Sequence, residues 1–259
     1  MLRYKDTDHT IYRYKYLPFD EGSLKVITEG TLKFTCPLEF NDPFDCWPSY
    51  DPASIDNIIK LRPDLIKAAG KSEGLSPAKR LQRYGVYKAN IRRSVESGEF
   101  VRALISGLGV FCVSRDPANI LMWSHYAQHH RGFVVGFEIS ASTPNRYLDL
   151  MTPLPITYQE KRPMLSWANG CDIEGYFLTK SEHWSYEKEE RMLTNKMGPG
   201  IYTYSREHFL CSVIAGGRMR REDLMTLKQA TEQAALTLGK QIGFHEARLA
   251  DDAYEIVIS

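Results

Sequence analysis

The sequence predicts an α+β fold, a compact single domain over residues 1–259 with a mixed or split β-sheet and a helical insertion at 51–108. Three observations support this prediction. Short alternating or apolar runs predict strands in both halves of the chain. Irregular helices separate these runs, whereas a doubly wound fold would show regular βαβ repeats. Residues 51–108 differ in composition from both flanks.

The first elements are predicted from alternation and from helix-start signals. Ile11–Tyr16 alternates aromatic and basic residues, so a strand there places its tyrosines on one side and Arg13 and Lys15 on the other. Asp20 predicts the N-cap of a short helix. Thr31–Thr35 predicts a second strand.

The insertion at 51–108 is predicted to be helical with a basic outer face. Ser76-Pro77 is a typical helix start, and Leu81, Tyr84 and Tyr87 follow at three-residue spacing. Two explanations of its many lysines and arginines remain open, a solvated helix surface and a face that contacts phosphates.

Strand signals return at Gly109. The predicted strands are Gly109–Ser114, Gly132–Ile139, Leu154–Gln159, Tyr186–Thr194, Phe209–Ala215 and Tyr254–Ile258. The predicted helices are Ala118–His129, Asp172–Ser181 and an amphipathic helix from about Glu222 to Gly239.

Charge and composition exclude several classes of protein. The 33 Lys and Arg residues nearly balance the 32 Asp and Glu residues, which argues against binding to nucleic acid by bulk charge. No apolar run approaches the ~18 residues of a membrane span, and the N-terminus lacks the apolar core of a secretory signal. We therefore expect a cytoplasmic protein that does not bind membranes.

Common nucleotide, hydrolase and metal motifs are absent from the sequence. It contains no G-x-x-x-x-G-K-[ST] loop, no G-x-G-x-x-G turn and no G-x-S-x-G elbow. Five scattered cysteines without a C-x-x-C pair fit neither a disulfide framework nor a zinc knuckle. His125 and His129 have the spacing of a metal pair, but no obvious third ligand follows, so we predict no metal site.

Three segments are rich in polar and aromatic residues. In the first, F-N-D-P-F-D, Asn41 and Asp42 precede a proline and favour a turn, leaving the carboxylates to bond backbone N–H groups or a ligand. In the second, a predicted helix carries Trp123, Ser124, His125 and Tyr126, with His130 beyond it. That helix suits either core packing or a pocket for a planar ring. If these two segments bind a ligand, the residues named in them are the candidate binding residues.

The third segment, W-S-Y-E-K-E-E-R, offers charged groups for acid–base chemistry. As a strand it projects Glu187, Glu189 and Arg191 from one face. Two like charges beside an arginine can raise the pKa of one carboxyl group while the arginine stabilises the other. If the segment is an exposed helix instead, its charges only face solvent.

These segments carry a family resemblance. Y-R-Y, F-N-D-P-F-D, M-W-S-H-Y-A-x-x-H-x-G, W-x-Y-E-x-E-x-R and V-I-A-G-G, in this order from Tyr12 to Ile258, resemble the bacterial domain of unknown function 2971. The resemblance implies an accessory of mobile elements and of phage-defence or abortive-infection loci. It implies no established reaction.

A more remote resemblance is to mono-ADP-ribosyltransferases, small α+β proteins without a Rossmann glycine loop. That family uses an Arg or His on the first strand, a Ser or Tyr on a middle element and a Glu on a later strand. This chain has candidates in the same order: Arg13 or Tyr14, then Ser124 or Tyr126, then Glu187 or Glu189. The resemblance implies that NAD is the substrate. The Ser-Thr-Ser motif of some such toxins is absent.

Three hypotheses about function follow. The first is an NAD-consuming transferase or glycohydrolase that acts as a toxin or defence effector. The acceptor of the ADP-ribosyl group is a protein, a nucleic acid or water, and the effector has a cognate antitoxin or defence partner. Its catalytic residues are Glu189, Glu187 and Arg191. Its binding residues are Arg13, Tyr14, Asn41, Asp42, Trp123, Ser124, His125, Tyr126 and His130. The second is a Mg²⁺-dependent nuclease, and the third is a non-catalytic sensor or partner-binding module.

Overall fold

The computed structural model describes residues 4–51, 53–54, 57–165 and 173–259. Its contacts divide the chain into two compact units. The first unit consists of Met1–Thr35, Gly109–Ile156 and His183–Ser259, and the second of Cys36–Leu108 and Thr157–Glu182. The predicted helical insertion at 51–108 falls within the second unit.

The described strands are short, as the sequence predicts. They are β1 (Thr10–Leu17), β2 (Thr31–Phe34), β3 (Ser49–Tyr50), β4 (Gly109–Ser114), β5 (Phe133–Ser140), β6 (Leu154–Pro155), β7 (Thr157–Gln159), β8 (Met164–Leu165), β9 (Thr179–Ser181), β10 (Glu189–Thr194), β11 (Gly200–Thr203), β12 (Leu210–Ala215), β13 (Gly243–Leu249) and β14 (Ile256–Ile258).

The described helices vary from one turn to five turns. They are α1 (Glu21–Thr28), α2 (Ile58–Leu61), α3 (Pro63–Ser72), α4 (Pro77–Gln82), α5 (Tyr84–Glu96), α6 (Glu99–Ile105), α7 (Ile120–Tyr126), α8 (Asn145–Leu148), α9 (Ile173–Phe177), α10 (Arg206–Phe209) and α11 (Arg221–Leu238), with 3₁₀ turns at Pro37–Glu39 and Glu182–Glu187. No helix among the described residues combines the length and apolar character needed to cross a membrane.

An eight-stranded mixed sheet dominates the first unit, in the order β14-β13-β12-β5-β1-β4-β10-β6. The pairing of β12 with β13 is parallel, and the other pairings in this sheet are antiparallel. β1 therefore lies in the interior of the sheet, between β5 and β4. The prediction of an α+β fold with a mixed sheet is confirmed.

Each face of this sheet packs against its own core. One core contains Phe111, Phe137 and Met192 together with the long helix α11. The other contains Tyr14, Tyr16 and Trp123. Adjacent residues of a strand project to opposite faces, so β1 contributes its tyrosines to the second core. We call the sheet face with Tyr14 and Tyr16 the tyrosine face.

The second unit is largely helical and has a separate small core. α2 to α6 and α9 belong to it, with two short parallel pairings, β3 with β8 and β7 with β9. Its buried cluster is formed by Ile66, Tyr87 and Val95. The serine at the predicted helix start, Ser76, is the N-cap residue of α4.

Several predicted boundaries are wrong. The helix predicted to run to His129 ends at Tyr126, since the residues after it adopt left-handed backbone angles. The strand predicted from Leu154 to Gln159 is two short strands. Of the helix predicted at Asp172–Ser181, Asp172 lies outside the described residues, and Thr179–Ser181 is a strand. β13 carries no clear alternation and was not predicted.

Candidate functional site

The site is built where three strands present polar residues on the tyrosine face. Tyr14 of β1 is the register partner of Ser114 on β4, and Ser114 is in turn the partner of Glu189 on β10. Register partners in a sheet project to the same face. These side chains therefore form one row across the strands, and all three are buried.

Glu189 and Arg191 form an ion pair inside this row. They are two positions apart on β10 and project to the same face, with Arg191 Nε 2.7 Å from Glu189 Oε1. A second contact joins Nη2 to Oε2 at 3.3 Å. Arg191 is 0% exposed and Glu189 5%. A buried charge is tolerated only with such a partner, so the pair depends on both side chains.

Glu187 approaches the same place from outside the strand. The predicted strand from Tyr186 is wrong here, because β10 begins at Glu189 and Lys188 has a left-handed φ of 45°. Tyr126 donates its hydroxyl hydrogen to Glu187 Oε1 at 2.7 Å. Ser114 Oγ donates to the Glu187 carbonyl oxygen at 2.6 Å. The left-handed residue thus lies between Glu189 of the row and a backbone carbonyl, that of Glu187, which stays against Ser114 beyond the end of the strand.

Helix α7 supplies Tyr126 and is fixed at its start by Asn119. The Asn119 side chain accepts the Met122 N–H at 3.1 Å, which makes it the N-cap. Its amide nitrogen also donates to the Tyr186 carbonyl oxygen at 3.0 Å. One asparagine therefore holds both the helix that carries Tyr126 and the segment that carries Glu187. It was missed in the sequence, although an Asn before an apolar run is a helix-start signal.

Trp123 packs α7 against β1 and presents no surface to a ligand. It is 0% exposed. Its indole N–H donates to the Pro117 carbonyl oxygen at 2.9 Å, and its ring packs edge-on against Tyr16. The interpretation of this helix as core packing holds for Trp123. The interpretation as a stacking surface for a planar ring does not.

Arg13 does not join the site. The structure corrects its predicted grouping with Glu187, Glu189 and Arg191, because Arg13 follows the other phase of β1. It projects to the face opposite Tyr14 and binds Glu190, with Nε 2.5 Å from Oε2 and Nη2 3.0 Å from Oε1. Adjacent residues on one strand cannot share a face, so only one of Arg13 and Tyr14 can line it.

The other predicted residues of the α7 region have different positions. His125 is exposed, and its ring lies near those of Tyr126 and Tyr186. Ser124 is half-buried, and its carbonyl oxygen accepts the N–H of His129. His130 stacks on Trp123 and lines a cavity of about 500 Å³ with the loop at 249–255. Burial lowers the pKa of His130, and the nearby Arg218 charge lowers it further.

Asn41 and Asp42 belong to the second unit. Asp42 is buried, and its Oδ1 accepts the Phe44 N–H at 2.9 Å, which forms an Asx turn. Asn41 is exposed. In the same turn, Asp45 forms a buried ion pair with Lys180, with 3.6 Å between the charged atoms. The alternative interpretation of this segment as an Asx turn describes Asp42 well.

Burial also sets the protonation of two further groups on the tyrosine face. Cys112 is the register partner of Arg191, and burial raises the pKa of its thiol to about 12, helped by the Glu189 charge. Burial likewise raises the pKa of the Tyr14 hydroxyl. Both groups are neutral at physiological pH. The charges of this row are therefore those of the two glutamates and Arg191.

The part of the chain that the structure describes contains no obvious set of metal ligands. That part contains no group of three or more His, Cys, Asp or Glu side chains that could hold a metal ion. The chemistry available at the site is that of two carboxylates, an arginine and a tyrosine hydroxyl.

Comparison with known protein families finds a match, and it covers this part of the chain. Residues 122–192 match the family model described as a protein of unknown function (DUF2971). The match begins in α7 and ends in β10, so it includes Tyr126, Glu187, Glu189 and Arg191. The predicted resemblance to that family is supported over this segment. Comparisons with curated proteins and with solved structures give no significant match.

Proposed function

We propose that the chain is an NAD-consuming enzyme, an ADP-ribosyltransferase-like protein or NAD glycohydrolase, which works through Glu189 and Glu187. One observation carries the proposal: Glu189, the register partner of Ser114, and Glu187, whose backbone carbonyl oxygen accepts the Ser114 hydroxyl, have side chains with different partners. Arg191 pairs with Glu189, whereas Tyr126 donates a hydrogen bond to Glu187. Carboxylates in different environments suit two different roles in one reaction.

The two roles follow from the chemistry of NAD cleavage. The bond between ribose C1′ and the nicotinamide nitrogen breaks, and its electron pair leaves with nicotinamide. Positive charge develops on the ribose, and the Glu189 carboxylate stabilises it. Water or an acceptor group then bonds to C1′ and releases a proton, which Glu187 accepts.

A role as an effector in bacterial defence or toxin systems is part of the proposal, because the resemblance seen in the sequence implies it. In that setting the acceptor is a protein, a nucleic acid or water. A cognate antitoxin or defence partner would protect the host cell. Growth arrest on expression, relieved by the loss of Glu189, is the corresponding cellular result.

A non-catalytic sensor or partner-binding module is the second candidate, and the burial of the site favours it. Trp123 has no exposed surface, and Glu187 and Glu189 are 2% and 5% exposed. An enzyme of the first kind has to open this region to admit NAD. A binding module needs no such opening.

Release of nicotinamide from NAD by the purified full chain tests the proposal. We expect the wild-type protein to release nicotinamide, with and without a bacterial lysate as a source of acceptors. Glu189→Gln should lower the rate at least about 100-fold, since it removes the charge that stabilises the ribose cation. Chromatography of the products measures both.

Glu190→Gln is the matched control. It also removes a buried carboxylate from an arginine pair, one position along β10, but on the face opposite the site. Retained activity in this variant with loss in Glu189→Gln supports the assignment, provided that circular dichroism shows both folded. Equal loss in both variants contradicts the assignment of Glu189. No nicotinamide release by the wild type favours the binding module.

A further inference from the structure

Two segments that are distant in sequence meet beyond one end of the central sheet. Leu17, Phe133 and Ala215 form a row of register partners at that end of β1, β5 and β12. A cavity of about 570 Å³ lies beside the loops that follow and precede them. Its lining residues are Phe19, Gln128, Arg131, Arg218, Arg220 and Asp223. None of them belongs to the site formed by Glu187, Glu189 and Arg191, which we call the glutamate site.

The loops that carry the arginines are joined to each other by backbone hydrogen bonds. The Gly216 N–H donates to the Gly132 carbonyl oxygen, and the Arg218 N–H to the His130 carbonyl oxygen, each at 2.9 Å. Neither glycine has room for a side chain. A Cβ at Gly132 would lie 2.1 Å from the Leu17 carbonyl oxygen, and one at Gly216 would lie 2.4 Å from that of His130. The arginine backbones are therefore held in place without a ligand.

The cavity carries an excess of positive charge. Arg220 is paired with Asp223 through two contacts, at 2.8 and 3.0 Å. Arg131 and Arg218 are exposed and form no ion pair with any residue that the structure describes. Guanidinium groups bind phosphate oxygens through paired hydrogen bonds. Two of the three arginines thus remain available to an anion.

Phe19 adds an apolar ring to the same cavity. It is half-buried, and its ring packs edge-on against Phe133. A ring held beside several guanidinium groups suits a ligand with a planar base and a phosphate, because the base stacks and the phosphate pairs. A volume of about 570 Å³ lies within the usual range of small-molecule sites.

We propose that this cavity binds the phosphate group of a nucleotide, presented either by a free nucleotide or by a nucleic acid chain. Arg131 lies within the motif M-W-S-H-Y-A-x-x-H-x-G, and Arg218 directly follows V-I-A-G-G, so two of the sequence motifs lead into this cavity. The inference does not rest on the proposed NAD-consuming function. Binding is measured without any nicotinamide release, so the two proposals fail separately.

Binding of two probes to the full chain tests the proposal. ADP is titrated by calorimetry, and a fluorescein-labelled oligouridylate by fluorescence anisotropy. Arg131→Glu/Arg218→Glu should weaken binding at least about tenfold, because it replaces the two available guanidinium groups with repulsive charges. The matched control is Lys228→Glu/Arg248→Glu, which makes the same change in net charge at exposed residues outside the cavity.

Loss of binding in the cavity variant, with binding kept in the control, supports the site. Equal weakening in both variants would show attraction by overall charge and overturn it, as would unchanged binding in the cavity variant. A wild-type protein that binds neither probe also overturns it. Comparable affinities for ADP and the oligonucleotide identify a single nucleotide as the ligand, and a much tighter oligonucleotide identifies a nucleic acid chain. Should the double variant unfold, Arg131→Gln/Arg218→Gln repeats the test without charge reversal.

Discussion

The side chains that hold the glutamate site in place differ in exposure from those that can contact a ligand. Trp123 is enclosed and satisfies its indole N–H internally, so it anchors α7. Tyr126, on the same helix, is half-buried and uses its hydroxyl on Glu187. His125 between them is exposed. Neighbouring residues of one helical turn therefore have unlike roles, set by the direction in which each projects.

The buried thiol of Cys211 affects the stability of the protein at alkaline pH. Its thiol is buried, and this burial raises its pKa from 9.0 to about 12. The folded state thus keeps a proton that the unfolded state loses above about pH 9, and the free energy of unfolding falls as pH rises towards 12. Between about pH 8 and pH 10, Cys211→Ala should reduce that fall by about 1–2 kcal/mol. Urea unfolding of the wild type and the variant at these two pH values measures the free energy of unfolding. The same fall in both proteins would contradict the prediction.

At the scale of elements, the turn after α7 is the most unusual piece of backbone in the first unit. Gln128, His129 and His130 have φ angles of 50°, 55° and 66°. Left-handed conformations cost non-glycine residues about 1–2 kcal/mol each. The surroundings offset this cost, since His130 N–H binds the Trp123 carbonyl oxygen and Gly132 N–H binds that of Ala127. The turn ends the helix and leads directly into β5.

Gly132→Ala tests how strongly this turn is fixed. Because the added Cβ meets the Leu17 carbonyl oxygen, a backbone atom of the adjoining strand, we expect a loss of at least about 3 kcal/mol in the free energy of unfolding. Gly22→Ala in α1 is the control. Its Cβ has an ordinary neighbour at 3.4 Å, so it should change stability by no more than about 1 kcal/mol. Similar urea midpoints for the two variants would be the contrary result.

The sequence predicts those elements whose own side chains carry a period, and misses what depends on distant partners. The alternation in β1 and the apolar runs of β4, β5 and β12 are local, so these strands are predicted. The conformation of Lys188 is not, because it serves the contacts of Glu187 with Tyr126 and Ser114. The two-residue period already separates Arg13 from Tyr14. Only the strand order shows that Glu190 faces the former and Glu189 the latter.

At the scale of the whole molecule, each unit has a core of its own. Ile214 is buried in the first unit, with the residues of the tyrosine face. Ile66 is buried in the second, with Tyr87 and Val95. Cores that share few side chains unfold as separate cooperative regions. We therefore expect the stability of each unit to depend mainly on its own core.

Hydrogen exchange of two matched variants tests this independence. Ile66→Ala and Ile214→Ala each remove the same atoms from a buried position and should each cost about 2–5 kcal/mol. We expect faster amide exchange mainly within the second unit for Ile66→Ala, and mainly within the first for Ile214→Ala. Uniform acceleration over both units in either variant would indicate a single cooperative structure. Mass spectrometry of peptides from each unit resolves the difference.

The interior position of β1 in the sheet has a consequence for the nascent chain during translation. Its neighbours β5 and β4 are encoded about 100 or more residues downstream. At a translation rate of about 5–20 residues per second, this aromatic segment leaves the ribosome many seconds before any lateral partner exists. Tyr14 and Tyr16 then stay exposed, as a natural target for chaperones. Cells that slow elongation across the first half of the message should accumulate aggregates of this protein.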